Sequence, residues 1–290
     1  MVAADAEVAW RWLLSRAGRA PGDARAGGAR PPAPRVADDA APEPSDEDAA
    51  DLLALYGPVA TARGRLAVGQ LGQSLDGCIA TRTGDARYVT GDADRAHLHR
   101  LRALVDAVLV GVGTVCADDP RLTVRAVAGP HPHRVVLDPA GRCPVGSRVL
   151  ADGAPTTWLV SAAGVRRARR AVAGRAAVRV VGLPAGPAGA PVPPPAVLDL
   201  LAGLGLGRVL VEGGGRTVTA FVRAGALDRL HLSVAPVLLG ADGTTGLGLP
   251  GPALARDALR PPSRNFRLGD DVCFDLDLAA VRERQREQAR

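Results

Sequence analysis

From residue 65 to residue 278, short apolar runs alternate with segments of helical period, and this alternation most constrains what the chain can fold into. Parallel strands need a crossover between them, so such an order builds a sheet covered by helices. Residues 66–71, 107–112, 135–137, 156–160, 178–181 and 208–211 read as strands. The run at 107–112 is nearly continuous in valine, leucine and alanine, as expected of a strand buried on both faces. Helices are expected at 92–105, 164–173, 196–204 and 216–224, the last stopped by Gly225. Two closing strands, 229–239 and 272–278, are expected to form an antiparallel end. The result is an α/β fold, a mixed, mostly parallel sheet flanked by helices, in one domain over residues 61–280.

Residues 1–60 read differently. A helix is expected at 4–16, where Val8, Trp12 and Leu13 have helical spacing, and another at 45–56, where Ser45 and Asp48 resemble a capping box. Between them, residues 18–44 are rich in Gly, Pro and Arg and bury almost nothing, so this extension is expected to be helical but partly disordered. Isolated helices this short are unstable, which favours their docking on the main domain through Trp10, Trp12, Leu52, Leu53 and Leu55. Residues 281–290 read as a polar, frayed tail.

Composition excludes whole mechanisms. All 36 basic side chains are arginine, so neither a Walker A phosphate loop nor lysine Schiff-base chemistry is open to the chain. The net charge of +6 is spread along the sequence and aromatics make up 3%, which argues against nucleic acid as a partner. No apolar run is long enough to span a membrane. Asp5 and Glu7 ahead of Trp10 do not give the order of a secretion signal, so a cytoplasmic location is expected. Cys78, Cys116, Cys143 and Cys273 form no C-x-x-C and read as free thiols. The H-x-H pairs His97/His99 and His131/His133 lack cysteine or carboxylate neighbours at ligand spacing, so no metal is expected.

Ligands of open α/β sheets bind beyond the carboxyl ends of the strands, and three such places carry chemistry. Residues 208–217 run strand, Glu212, three glycines, Arg216 and Thr217. Glycines there let backbone N–H groups approach a pyrophosphate at a helix start, although G-x-G-x-x-G is absent and a structural turn reads equally well. The strand 107–112 leads to Thr114, Asp118, Asp119, Arg121 and Arg125. The arginines suit an anion and the acids suit hydroxyls, while the two aspartates alone read as a turn before Pro120. The first strand leads to Gly72 and to Asp76–Gly77, followed by a polar loop bearing Tyr88.

Taken together, the order S-L-D-G, T-G-D-x-x-Y-V-T-G, V-G-x-G-T-V-x-A-D-D-P-x-L-T-V-R, R-V-V-L-D, V-E-G-G and A-P-x-L-L-G resembles the reductase domain of riboflavin biosynthesis, the C-terminal half of RibD, in the dihydrofolate reductase-like superfamily. The resemblance implies reduction, by NADPH, of the ribosyl group of 5-amino-6-(5-phosphoribosylamino)uracil to the ribityl product, in a homodimer. It places the cofactor at Gly72, Tyr88, Thr114, Asp118 and the segment Gly214, Gly215, Arg216, Thr217, Val218, Thr219 and Ala220. The substrate falls to Arg102, Leu122, Arg125 and Glu212. No catalytic residue is implied firmly; Asp76 and Asp118 are the candidates. Arg142, or Ser161 with Arg166, would receive a 2′-phosphate. The H-x-E and P-C-x-x-C motifs of the deaminase half are absent. Many members of that family carry Lys where Gln70 and Cys78 stand here, which keeps open a different pyrimidine or pteridine-like substrate, or a non-catalytic nucleotide-binding role.

Overall fold

The computed structural model describes residues 5–19, 40–186 and 190–288. Most of the 18–44 stretch, expected to be disordered, lies outside them. Nine strands form one sheet: β1 (Leu66–Ser74), β3 (Ala107–Gly111), β4 (His133–Leu137), β5 (Thr156–Ser161), β6 (Val178–Leu183), β7 (Arg208–Val211), β8 (Arg229–Ala235), β10 (Ser263–Leu268) and β11 (Asp271–Asp277), in the order β10-β11-β8-β1-β7-β3-β4-β5-β6. A second, two-stranded antiparallel sheet pairs β2 (Cys78–Ala80) with β9 (Thr244–Thr245).

Strands β8 through β6 in that order run parallel, and β11 alone runs against them, pairing antiparallel with β8 on one side and β10 on the other. As expected, β8 and β11 pair antiparallel, from Val272↔Val234 to Asp277↔Arg229, while the other side of β8 pairs in parallel with β1 from Val68↔Arg229 to Ser74↔Ala235. It turns away at Pro236, because the exchange with β1 ends there. The β10–β11 hairpin around Gly269, whose φ of +67° favours glycine, extends this antiparallel end by one strand.

Helices cover both faces. On one side lie α1 (Ala6–Arg16), α2 (Glu47–Ala60), α3 (Asp92–Leu104), α4 (Val112–Asp118), α5 (Arg148–Ala151) and α6 (Val165–Ala171), packed on Val68, Val108, Val110, Val136 and Trp158. On the other lie α7 (Pro194–Gly203), α8 (Gly215–Arg223) and α9 (Leu278–Gln288), packed on Ala67, Leu71, Leu109, Val209 and Val211. The odd and even residues of each strand divide between the two cores, as the pleat requires.

The extension docks where its apolar residues point. Trp10, Leu13, Leu14, Leu52 and Leu55 are buried in the first core, and Trp12 and Leu53 pack at its margin. Arg208 donates to the carbonyls of Ala17 (2.6 Å) and Ala60 (3.5 Å), so one guanidinium caps the carboxyl ends of both α1 and α2. The cap of α2 is Asp46, which accepts from Ala49 N (2.8 Å), rather than Ser45; Ser45 only donates to Asp46. The helix also continues past Gly57–Pro58. Proline lacks the N–H that would bond Ala54 O, and Arg264 supplies a donor to that carbonyl at 2.6 Å. At the other end, α9 forms where a frayed tail was expected, held by Arg282 to Asp228 and to Leu227 O.

Candidate active site

Strands β1, β7 and β3 are neighbours, and the polar segments that follow β7 and β3 meet beyond their carboxyl ends. After β7 the chain passes Glu212 and turns through Gly213, at φ +86°, into α8. Thr114, on α4 after β3, accepts from Gly214 N at 2.9 Å. A Cβ on Gly213 would lie 2.7 Å from that hydroxyl, so the turn can pack there only as glycine. Gly215 meets the carbonyl of Gly246 as closely, and Gly111 meets the Thr217 hydroxyl, so the first turn of α8 is wedged between α4 and the 244–248 loop. Its leading N–H groups have no intrahelical acceptor and carry the positive end of the helix dipole. Of the seven residues expected to touch cofactor here, Gly214, Gly215 and Thr217 line this wedge and Arg216 and Ala220 are exposed. Val218 lies wholly in the second core, and Thr219 accepts from Gly248 N (3.0 Å).

A basic cluster adjoins the turn. Arg102 on α3 and Glu212 form a buried bidentate pair, Nε to Oε2 at 2.9 Å and Nη2 to Oε1 at 2.6 Å. The two side chains expected to meet substrate separately thus meet each other. Arg102 Nη1 also donates to Thr123 O (3.1 Å), fixing the 121–125 segment, where Leu122 is buried at φ +56°, a conformation disfavoured for its side chain. His99 holds the same segment: its Nδ1 accepts from Arg125 N (2.7 Å). Burial, followed by Arg102 and Arg125, pushes the His99 pKa down to about 4, which matches a neutral ring acting as acceptor. The Arg125 side chain is exposed and donates to Thr123 Oγ1 (2.6 Å). Partial burial and the charges of Arg102, Arg121 and Arg148 lower its proton affinity, and Glu212 opposes them. Guanidinium groups gathered this closely, with one buried carboxylate beside them, are the chemistry of an anion site. Arg121 was read with Arg125 as suited to an anion but was not assigned to the substrate. Arg148 had no signal at all, since Asp119 recruits it from 29 residues away by accepting from Arg148 N (2.7 Å).

The remaining candidates lie apart. Gly72 abuts Thr90 and Asp94, where a Cβ would approach Thr90 to 2.8 Å. Tyr88, at φ +66° and 71% exposed, stands at the rim of a cleft of about 450 Å³ lined by Gly91, Ala93, Pro236 and Asp271. Arg87 and Arg95 lie over the Tyr88 ring. Asp76 accepts from Ser74 Oγ (2.5 Å), Gly240 N (2.7 Å) and Leu239 N, and these bonds hold its carboxyl below the usual range. It ties the turn after β1 to the 237–240 loop. Asp118 ends α4, and partial burial raises its pKa. Gln70 is buried on the α3 side of β1, opposite His231, and the Cys78 thiol faces Gly240 O (3.5 Å). Arg142 and Arg166 are exposed; the arginine that does bridge to the loop after β4 is Arg167, through Ala140 O (2.9 Å). No helix among the described residues is long and apolar enough to cross a membrane.

Residues 68–260 match the family model of the RibD C-terminal domain. The chain is 41% identical over 170 residues to the riboflavin biosynthesis protein RibD of Bacillus amyloliquefaciens, covering 58% of this chain and 44% of that protein. It is 36% identical over 207 residues to the 2,5-diamino-6-ribosylamino-4(3H)-pyrimidinone 5′-phosphate reductase of Methanothermobacter thermautotrophicus, covering 70% and 93%. Among solved structures, RibD of Acinetobacter baumannii superposes with a TM-score of 0.62 at 26% identity, over 80% of this chain and 63% of that one. The chain therefore spans less than half of the Bacillus relative and nearly all of the archaeal one.

Proposed function

The chain belongs to the RibD C-terminal domain family, the reductases of riboflavin biosynthesis, and from that premise we propose that it uses NADPH to reduce the ribosyl group of 5-amino-6-(5-phosphoribosylamino)uracil to ribityl. The observation that carries this reading is the Arg102–Glu212 pair, which fixes the segment bearing Arg125 next to a glycine turn that only a small backbone can occupy. A phosphorylated sugar and a dinucleotide are both anionic, and the crevice offers each a different kind of donor: guanidinium groups for one, helix N–H groups for the other.

The cofactor, when bound, supplies the hydride. Gly213, Gly214 and Thr114 would cradle its pyrophosphate, Gly72 and Tyr88 would add further contacts, and Arg142 or Arg166 would pair with a 2′-phosphate. Arg125, with Arg121 and Arg148, anchors the substrate phosphate. The Arg102–Glu212 pair holds the 121–125 segment in register with the turn. With no lysine in the chain and neutral side chains at Gln70 and Cys78, the protein's contribution is orientation of nicotinamide against the sugar carbon. A homodimer in the cytoplasm completes the proposal.

A second reading concerns the pyrimidine ring. The archaeal relative, matched over nearly its full length, is named for the diaminopyrimidinone, which still carries the amino group that the uracil has lost. Purified chain, NADPH and each of the two phosphoribosyl substrates separate these readings by cofactor oxidation. Turnover favouring the uracil supports the first and turnover favouring the diaminopyrimidinone the second. Tight NADPH binding with turnover of neither would move the search to another substrate; absence of NADPH binding would end the reductase reading.

A further inference from the structure

Away from the crevice, α3, β8 and β11 enclose a polar cluster in the first core. His97, His231 and Cys273 are all buried, and one nitrogen of each ring and the sulfur lie within 4.8 Å of one another. The rings stack, with centroids 5.1 Å apart and planes 9° from parallel. His97 Nε2 lies 3.2 Å from His231 Nδ1 and 3.9 Å from Cys273 Sγ. We propose that these three side chains form a metal site, and that the ion they fit is a divalent transition metal of zinc type.

The donor set selects the ion. Two imidazoles and a thiolate suit zinc and disfavour magnesium or calcium, which take oxygen ligands. With Zn–N bonds of about 2.0–2.1 Å and a Zn–S bond of about 2.3 Å, tetrahedral edges come to about 3.3 Å between nitrogens and about 3.6 Å between nitrogen and sulfur. The two separations from His97 Nε2 lie within tenths of an ångström of these values, and the third pair lies within 4.8 Å.

The outer contacts orient the ligands correctly. Metal-bound histidines place their second nitrogen against an acceptor. His97 Nδ1 has the Tyr56 hydroxyl at 2.7 Å, so a proton on Nδ1 leaves the Nε2 lone pair facing inward. Among the described residues His231 Nε2 faces only the carboxylate of Asp275, 3.4 Å away, which Arg229 holds in place with bonds of 2.8 and 2.6 Å. Its Nδ1 is thereby turned toward His97. Tyr56 comes from α2, so the N-terminal extension supplies part of the outer shell. The sequence gave no ligand spacing because the three residues lie on three elements, and the H-x-H pairing of His97 with His99 was the wrong partnership: His99 belongs to Arg125.

The full-length chain, produced with added zinc, should carry about one equivalent of metal per chain after gel filtration, and refolding it with cobalt should give a thiolate-to-cobalt charge-transfer band. The near-isosteric Cys273→Ser variant should lose that band while Cys143→Ser keeps it. Zinc should also raise the thermal midpoint of the unaltered chain and a chelator lower it, a readout that does not depend on any variant folding. Folded protein with no stoichiometric zinc or cobalt after refolding, or a cobalt–thiolate band that survives Cys273→Ser, would overturn the site. In that event the two histidines share a proton and nothing more. Metal content is read without turnover, so either result leaves the reductase reading untouched.

Discussion

The two faces of the sheet are built on opposite principles. The face under α7, α8 and α9 is hydrocarbon: Leu71, Val209, Val211, Val218, Phe221, Leu227 and Leu230 fill it. The face under α3 combines leucine and valine with buried Arg102, Glu212, Asp94, His97, His231, Ser233 and Asp275. An apolar face tolerates any side chain of suitable volume, whereas a buried polar face requires each partner to be present. The first behaves as a foundation; the second fixes where α3 sits, and α3 carries Arg102 and His99 to the crevice.

The sharpest way to break this contrast is to remove one residue from each side. Phe221→Ala should cost about 3–5 kcal/mol through lost transfer energy and a cavity. Glu212→Ala should cost a similar amount, about 3–5 kcal/mol, for a different reason: it strands the Arg102 guanidinium in the core. Urea unfolding of a third protein, Arg102→Met with Glu212→Leu, tells them apart. Stability should return close to that of the unaltered chain, since an apolar pair of similar volume replaces the ion pair, and no second substitution rescues Phe221→Ala so simply. Turnover by the double variant then shows whether the pair only clasps the 121–125 segment or also touches substrate.

Arg125→Ala tests the exposed part of the same region. Its side chain bonds only Thr123 among the described residues, so stability should move by less than about 0.5 kcal/mol. Loss of one charged donor to a phosphate should weaken substrate binding by about 1.5–3 kcal/mol, seen as a raised KM with NADPH affinity retained. Lost NADPH affinity with an unchanged KM would reverse the division of the crevice.

How much of this was legible in the sequence follows the same line. Strands β3 and β7 and helix α8 were readable within a residue or two, because uniform apolar runs and a glycine stop record their burial directly. The polar face was not. Nothing near His97 announces His231, which lies 134 residues on, and the pairing of Arg102 with Glu212 spans 110 residues. Thr114 and Gly214, each just after a strand end, do meet. The motif could not say that Arg102 and Glu212 would satisfy each other. Strands β9 and β10 were also missed, for they are polar and mostly exposed, and β2 is only three residues long.

Acid should reveal one histidine on each face. Burial, reinforced by Arg102 and Arg125, lowers His99 to about 4, and burial with Arg134 and Arg179 lowers His133 to about 4, both from an ordinary 6.5. The unfolded chain therefore binds more protons than the folded one between those values. Stability should be full above pH 6.5 and fall as the pH drops toward 4, with no further loss from these two groups below that. His99→Gln and His133→Gln should each flatten the slope of unfolding free energy against pH over that window. An unchanged slope in both would mean that other groups govern acid sensitivity.

The smallest expected effect separates two adjacent residues at the start of α2, the helix that lays Tyr56 over the polar face. Asp46→Ala removes the oxygen that accepts from Ala49 N and leaves a first-turn donor without a protein partner, which should cost about 1 kcal/mol. Ser45→Ala removes only a contact to Asp46 itself and should change stability by a few tenths of that. Thermal unfolding of the two variants orders them. If Ser45→Ala proved the more costly, the capping box read from Ser45 and Asp48 would be the operative one in solution, and the entry of α2 onto α3 would start one residue earlier.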